Sequence, residues 1–228
     1  VLDFLFFLPR EKRLALLKKY ITQETKIVSF APFAYLDWHH EGALAPMIGI
    51  LQEVKHHFPW VKISIGGQFS LNFLRKKVYK KLNYKVDAVF TGAGEHSYLE
   101  YCNYIFKKSN KHPPFNLIDD QKVIEPTQEY DIQNCKMRFS KQDFIVPGEA
   151  LPIELSRGCI FKCAFCQYPH LGKDKDDFNR SITNIESTLI HNYENFGTTD
   201  YYIADDTLNS HRQRTQDLHK ISKSLPFR

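Results

Sequence analysis

The sequence predicts an α/β fold built on parallel sheet, organised as two modules joined by an irregular stretch. Three observations carry that prediction. Short apolar runs that end near glycine alternate with longer segments whose apolar residues recur at helical spacing. The alternation lapses over residues 111–150, where His112-Pro113-Pro114, Pro126 and Pro147-Gly148 interrupt any sustained period. It resumes at Leu151 with a second succession of strand, loop, helix and strand. Strands separated by helices at this pitch pair in parallel, with helices on the faces of the sheet.

In chain order, residues 26–31 read as a short buried strand. Residues 43–58 place Leu44, Met47, Ile48, Leu51, Val54 and Phe58 at helical spacing, and Pro59 ends that helix. Residues 61–65 form the next strand and stop at Gly66-Gly67. A helix over residues 71–82, a strand over 86–90 and a helix over 96–107 complete a first domain spanning 1–110. The connector, 111–150, contains a small hairpin around residues 121–124. From 151 to 228 the chain continues as a strand, a cysteine-rich loop, a helix over 181–196, a strand over 200–204, and a helix reaching Leu218 and Ile221. In open α/β sheets ligands bind beyond the carboxyl ends of the strands. In the first domain those ends are the loops 31–42, 66–70 and 91–95.

Composition limits the function classes. The 228 residues are 43% hydrophobic and 25% charged, which suits a globular protein of one large or two small domains. No apolar run approaches the length of a membrane span, so a membrane partner is not expected. The opening residues contain Asp3 and lack a basic leader, a poor signal peptide. Five cysteines without a disulfide pattern fit a reducing cytosol, and the expected location is cytoplasmic. The net charge of +5 comes partly from Lys76, Lys77, Lys80, Lys81 and Lys85, read as a solvated helix face rather than a nucleic-acid surface.

The most specific feature is the run Arg157-Gly158-Cys159-Ile160-Phe161-Lys162-Cys163-Ala164-Phe165-Cys166. Its three thiols, spaced C-x-x-x-C-x-x-C, can wrap one compact soft-metal centre, zinc or an iron–sulfur cluster. An odd count in so tight a loop does not suit a disulfide framework. Zinc requires a fourth ligand, which His170 could supply. In a 4Fe–4S cube the trio leaves one iron open to a substrate or cofactor. Buried structural thiols are the third reading. Cys102 and Cys135 lie outside the trio and read as inert thiols.

With aromatic Phe165 directly before the last cysteine, the trio resembles the signature of radical S-adenosylmethionine (SAM) enzymes, and the lead-in over 151–158 resembles the first strand of their barrel. The resemblance implies a 4Fe–4S cluster on Cys159, Cys163 and Cys166, with SAM chelating the open iron. It also implies reductive cleavage of SAM to methionine and a 5′-deoxyadenosyl radical that abstracts a hydrogen from a small-molecule or peptide substrate. An electron donor such as flavodoxin or ferredoxin would feed the cluster. Phe165 would back the adenine or shield the cluster. Asp205-Asp206-Thr207-Leu208-Asn209 resembles the acidic strand end of the same group, which places Asp205 and Asp206 beside SAM; a helix N-cap is the other reading of Asp206, Thr207 or Asn209. Arg180 and Glu186 are further candidate cofactor contacts. No catalytic residue beyond the cluster is assigned.

A second resemblance lies upstream. Gly66-Gly67 and the run Thr91-Gly92-Ala93-Gly94-Glu95 are similar to the turns of the cobalamin-binding Rossmann-like domain that often precedes a radical SAM core. It implies Gly66, Gly67, Gly92, Gly94 and Glu95 as cobalamin contacts, and methyl transfer or a related rearrangement as the reaction subtype. Glycine turns of this kind also occur in α/β domains that bind nothing. Asp37-Trp38-His39-His40-Glu41-Gly42 matches a cobalt-ligating Asp-x-His-x-x-Gly pattern. Here, however, His39 follows a middle strand and lies too close to Gly66, so cobalamin bound without a histidine ligand is expected.

The expected fold is thus an N-terminal Rossmann-like parallel sheet followed by the first βα units of a partial radical SAM (β/α) barrel. Only two such units follow Leu151, where about six would close the barrel, and no initiator Met begins the chain, so a fragment of a longer enzyme is expected. The rival readings are a zinc-stabilised binding module and a non-catalytic fragment.

Overall fold

The computed structural model describes residues 8–31, 41–67, 69–75, 77–128, 130–143, 145–158, 179–205 and 212–224. The chain divides into two compact units, Val1–Tyr130 and Asp131–Arg228. Among the described residues no helix is long and apolar enough to cross a membrane.

Unit 1 runs α1 (Arg10–Tyr20), β1 (Ile27–Phe30), α2 (Glu41–His57), β2 (Lys62–Ile65), α3 (Phe69–Arg75), β3 (Ala88–Phe90), α4 (Glu95–Ile105), β4 (Asn116–Ile118) and β5 (Gln121–Ile124). Its five-stranded sheet has the order β1-β2-β3-β5-β4. All pairs are parallel except β4 with β5. The expected α/β fold with a largely parallel sheet is what the chain adopts.

Alternation along each strand sorts the two faces of this sheet. Ile63, Ile65 and Val89 pack with Ile50, Leu51, Val54 and Phe73, so α2 and α3 cover one face. Ala88, Phe90, Ile124 and Ile27 pack with Tyr98, Tyr101 and Ile105, so α4 covers the other. Ser64 is buried on the α4 face, and its hydroxyl is satisfied there. Ser29 Oγ lies 2.7 Å from Ser64 Oγ and 2.6 Å from the Tyr98 hydroxyl, a short ladder that ties β1, β2 and α4 together.

Two features depart from the sequence expectation. The helix expected over 71–82 stops at Arg75. Lys77 turns to φ 51°, and a 3-10 turn follows over Val78–Lys81. The cause is distant in sequence. Tyr79 donates its hydroxyl to Asp119 Oδ2 at 2.7 Å and sets its ring 6.0 Å from that of Phe73, and a continuous helix does not offer that geometry. Residues 111–150, expected as a connector, do not behave as one. They supply β4 and β5, and β5 inserts beside β3 with Val89 paired to Val123 and Phe90 to Ile124. The two residues between β4 and β5, Asp119 and Asp120, both have φ above zero, the conformation of a tight hairpin turn. The hairpin around 121–124 is therefore present, but as an integral part of the sheet.

Glu53 on α2 is held in a largely buried site by α1. Arg10 Nε approaches Oε1 at 2.7 Å, and Arg13 donates through Nε to Oε2 at 3.0 Å and through Nη2 to Oε1 at 3.3 Å. Burial raises the carboxyl, but the hydrogen bonds and charges of Arg13 and Arg10 outweigh it and hold the group below its ordinary 4.5. A depressed carboxyl contributes stability above its unfolded value and loses it as pH falls through the folded value. Acid titration of the chain, followed by tryptophan fluorescence from unit 1, is expected to show stability lost as pH drops below 4.5. Glu53→Gln is expected to shrink that loss and to cost about 1–3 kcal/mol at neutral pH. An unchanged acid limb would show that the two arginines do not set it.

Unit 2 contains β6 (Leu151–Ile153), α5 (Ile182–Phe196), β7 (Tyr201–Ile203) and α6 (Arg212–Ser224). β6 and β7 pair in parallel, Leu151 with Tyr201 and Ile153 with Ile203, so β6-α5-β7 is one βαβ unit. Ile153, Leu155, Ile185, Leu189 and Ile221 form its core. Ser181 caps α5 by accepting from Asn184 N, and Gly197 ends it at φ 66°. Residues 131–139 belong to this unit. The carbonyls of Gln133, Cys135 and Phe139 accept bonds from Ser181 N, Arg180 and His191.

Candidate cofactor site

The parallel strands of unit 1 place Gly66, Gly67, Gly92 and Gly94 at one edge of the sheet, beyond the carboxyl ends of β2 and β3, as expected. Local backbone geometry accounts for two of these glycines. Gly67 has φ 66°, and a Cβ there would sit 3.4 Å from Ala31 Cβ. Gly92 has φ 65°, and its Cβ would lie 2.9 Å from Pro126 Cγ, in the segment that follows β5. Gly66 and Gly94 have ordinary φ, and a Cβ would meet Phe90 Cβ at 4.0 Å from the first and 3.6 Å from the second. Glu95 is exposed at the first turn of α4, where its charge suits the helix dipole. Gly67 and Gly92 thus have a cause inside the fold, independent of any ligand. Gly92→Ala is expected to cost about 1–3 kcal/mol in urea denaturation; a loss under about 0.5 kcal/mol would contradict the contact with Pro126. His39 lies outside the described residues.

In unit 2 the cysteine loop leaves the carboxyl end of β6. Cys159, Cys163, Phe165, Cys166 and His170 all lie outside the described residues, but both ends of the loop are described. Ser156 and Asn179 form an isolated antiparallel bridge, so the segment between them begins and ends at one place. Gly158, immediately before Cys159, has φ 120°, a conformation that favours glycine.

The root of this loop is tied down from three elements. Asp205, two residues beyond β7, accepts from Leu155 N through Oδ1 and from Ser156 Oγ through Oδ2, each at 2.7 Å. The Leu155 carbonyl accepts from Arg180 N at 2.9 Å and from Arg214 Nη2 on α6. Arg214 Nη1 also donates to the Arg180 carbonyl at 3.0 Å. Both backbone groups of Leu155 are therefore held, four residues before the first cysteine. Burial pushes the Asp205 carboxyl above its ordinary 3.8, against hydrogen bonds from Ser156 and Leu155 and the charge of Arg214.

Arg180 is fully buried beneath this root. It donates through Nε and Nη2 to the Cys135 carbonyl at 3.2 and 3.1 Å, through Nη1 to the Glu154 carbonyl at 2.9 Å, and through Nη2 to Thr188 Oγ1 at 2.8 Å. Glu154 and Arg157 form a bidentate pair at 2.7 and 2.9 Å on the same turn. Sequence reasoning proposed Asp205 and Arg180 as cofactor contacts; the bonds they make are to the protein itself. Asp206 lies outside the described residues, and Glu186 is half-buried on α5. Leu155, Ser156, Asn179 and Arg214 were missed, because no local pattern marks a residue whose partner is a distant carbonyl. Gly158 was legible as a glycine beside the first cysteine. Among the described residues no group of three or more His, Cys, Asp or Glu is arranged to hold a metal; the donor set that the sequence offers is the cysteine trio itself.

Among solved structures the chain is similar to the radical SAM methyltransferase TsrM from Kitasatospora setae, with tryptophan substrate and the SAM analogue aza-SAM bound. The TM-score is 0.61 at 14% identity, over 92% of this chain and 42% of that one. The two share a fold. The chain spans less than half the length of that protein. No protein-family model and no curated protein matches the sequence.

Proposed function

We propose that this chain is part of a radical SAM enzyme, with Cys159, Cys163 and Cys166 as the ligands of a 4Fe–4S cluster. The observation that carries the reading is the root of the cysteine loop. The loop's two ends meet at Ser156 and Asn179, and Asp205, Arg180 and Arg214 fix its base at the carboxyl end of β6. That is the arrangement a thiolate cluster needs, since three ligands on one loop hold a centre rigidly only if the loop's base is rigid. The shared fold with a SAM-analogue-bound methyltransferase supports the same reading.

The residues fit the group by donor chemistry, because three soft thiolates leave one iron position for SAM. When bound, the reduced cluster supplies the electron that cleaves the sulfonium bond of SAM. The chain's own residues position and shield. Gly158 provides the turn into the loop, and Asp205 sets the loop's base by binding Leu155 and Ser156. Phe165 would shield the cluster or back the adenine, and Asp205 and Asp206 are the candidate SAM contacts. A cobalamin at the glycine edge of unit 1, contacting Gly66, Gly67, Gly92, Gly94 and Glu95, extends the proposal to methyl transfer.

Anaerobic reconstitution of the purified chain with iron and sulfide tests the proposal, through visible absorption and EPR with and without SAM. A reduced signal that SAM perturbs, with four irons per chain, is the expected result. A colourless protein carrying one zinc, lost on His170→Ala, would overturn it in favour of a structural zinc site.

A further inference from the structure

We propose that unit 1 binds a phosphate-bearing small molecule, of the size of a mononucleotide, at the amino edge of its sheet, the edge opposite the glycine turns. The site is independent of the cluster and of any cofactor at the glycine edge. A cavity of about 490 Å³ opens there between the starts of β2 and β5 and the end of α4, within the range of small-ligand pockets.

Its charge is unbalanced. Lys62, Lys107 and Lys122 line it, and Asp87 is its one carboxylate. Asp87 is already committed, with Oδ1 2.9 Å from Lys62 Nζ and Oδ2 accepting from Ile63 N at 2.9 Å. Among the described residues no carboxylate pairs with Lys107 or Lys122. Lys122 instead holds its ammonium 5.0 Å over the ring of Phe115. At the last turn of α4, three of the carbonyls that would repel an anion are occupied: those of Cys102, Asn103 and Tyr104 accept from the amides of Phe106, Lys108 and Lys107. A neighbouring cavity of about 510 Å³ lacks this surplus, because Lys80 and Lys85 there face Asp119 at 3.3 Å and Asp120 at 3.0 Å.

The wall is aromatic. The His112 ring meets those of Tyr104, Phe115 and Tyr101 edge-on, with centroids 4.7, 5.1 and 5.7 Å away. Its Nδ1 donates to the Pro113 carbonyl at 2.6 Å, which leaves Nε2 for a ligand. Tyr104 is partly exposed and offers a flat surface. Two ammonium groups that no carboxylate neutralises among the described residues, beside a partly exposed ring, suit a phosphate monoester attached to a planar group.

The test is calorimetric titration of the full chain with AMP and with inorganic phosphate at low salt, alongside the ring resonances of His112. Saturable AMP binding that shifts His112 is expected, weakened at least about tenfold in K107Q/K122Q and unchanged in K80Q/K85Q. If the double variant fails to fold, Lys107→Gln alone carries the test, since that side chain is exposed. Phosphate binding as tightly as AMP would overturn the planar part of the ligand. No saturable binding, or equal weakening by the K80Q/K85Q pair, would overturn the site.

Discussion

Replacing any one of Cys159, Cys163 or Cys166 by Ser is expected to reduce 5′-deoxyadenosine formation by the reconstituted chain to background. The reason is ligand count. In the proposed cluster three thiolates would hold the cube and leave one iron for SAM, so each substitution would open a second iron to water. Loss of a partner in the outer shell of a metal site costs about 10–100-fold, and loss of a ligand costs more. Iron content is expected to fall with activity, while the far-UV spectrum and the unfolding of unit 1 stay as they are. Cys102→Ser and Cys135→Ser serve as controls that keep both iron and activity. Burial pushes the Cys102 thiol up, which makes it a poor ligand. Full activity in any single variant of the trio would rule out the three-cysteine cluster.

The second large effect concerns Arg180. Arg180→Met is expected to destabilise unit 2 by about 3 kcal/mol. Methionine approximates the volume but leaves the carbonyls of Cys135 and Glu154 without the guanidinium that satisfies them, in a site that water does not reach. Thr188 loses a partner as well, although its hydroxyl still donates to the Asn184 carbonyl at 2.9 Å. For a unit of this size the shift in melting temperature is on the order of 10 °C or more. Lysine at 180 offers a point charge in place of a fork and is expected to recover less than half of the loss. Amide exchange along α5 reads the effect directly, because Arg180 immediately precedes that helix. A change within about 0.5 kcal/mol would mean that the buried guanidinium is replaceable by packing alone. The same variant should loosen the base of the cysteine loop, since the Glu154 carbonyl that Arg180 Nη1 holds lies on the approach to Cys159.

The elements written most plainly in the chain are those stabilised by local chemistry. α5 shows this best: Ser181 at its start, a helical apolar period through Ile185 and Leu189, and Gly197 at its end are all readable, and the helix lies between them. β2 and β3 were likewise legible as buried apolar runs. The helix expected over 71–82 was not, because the bond from Tyr79 to Asp119 spans forty residues and leaves no trace in the local period. β5 was read as half of an isolated hairpin for a similar reason. Four residues are too few to show which neighbour they will pair with, and β3 is that neighbour.

The candidate site divides along the same line. The spacing of Cys159, Cys163 and Cys166 is a property of eight consecutive residues. All three sulfurs therefore belong to one short segment, and the sequence alone supplies the thiolate set that the proposed cluster requires. The role of Asp205 is of the other kind. Its carboxylate meets Leu155 and Ser156 only because β7 returns parallel to β6 after α5, which brings residues fifty and forty-nine positions apart within 2.7 Å. The sequence shows an acidic strand end at that point. Tertiary structure alone decides that the charge faces a backbone amide at the root of the loop, because sheet register, and no local propensity, sets which residues of two distant strands stand side by side.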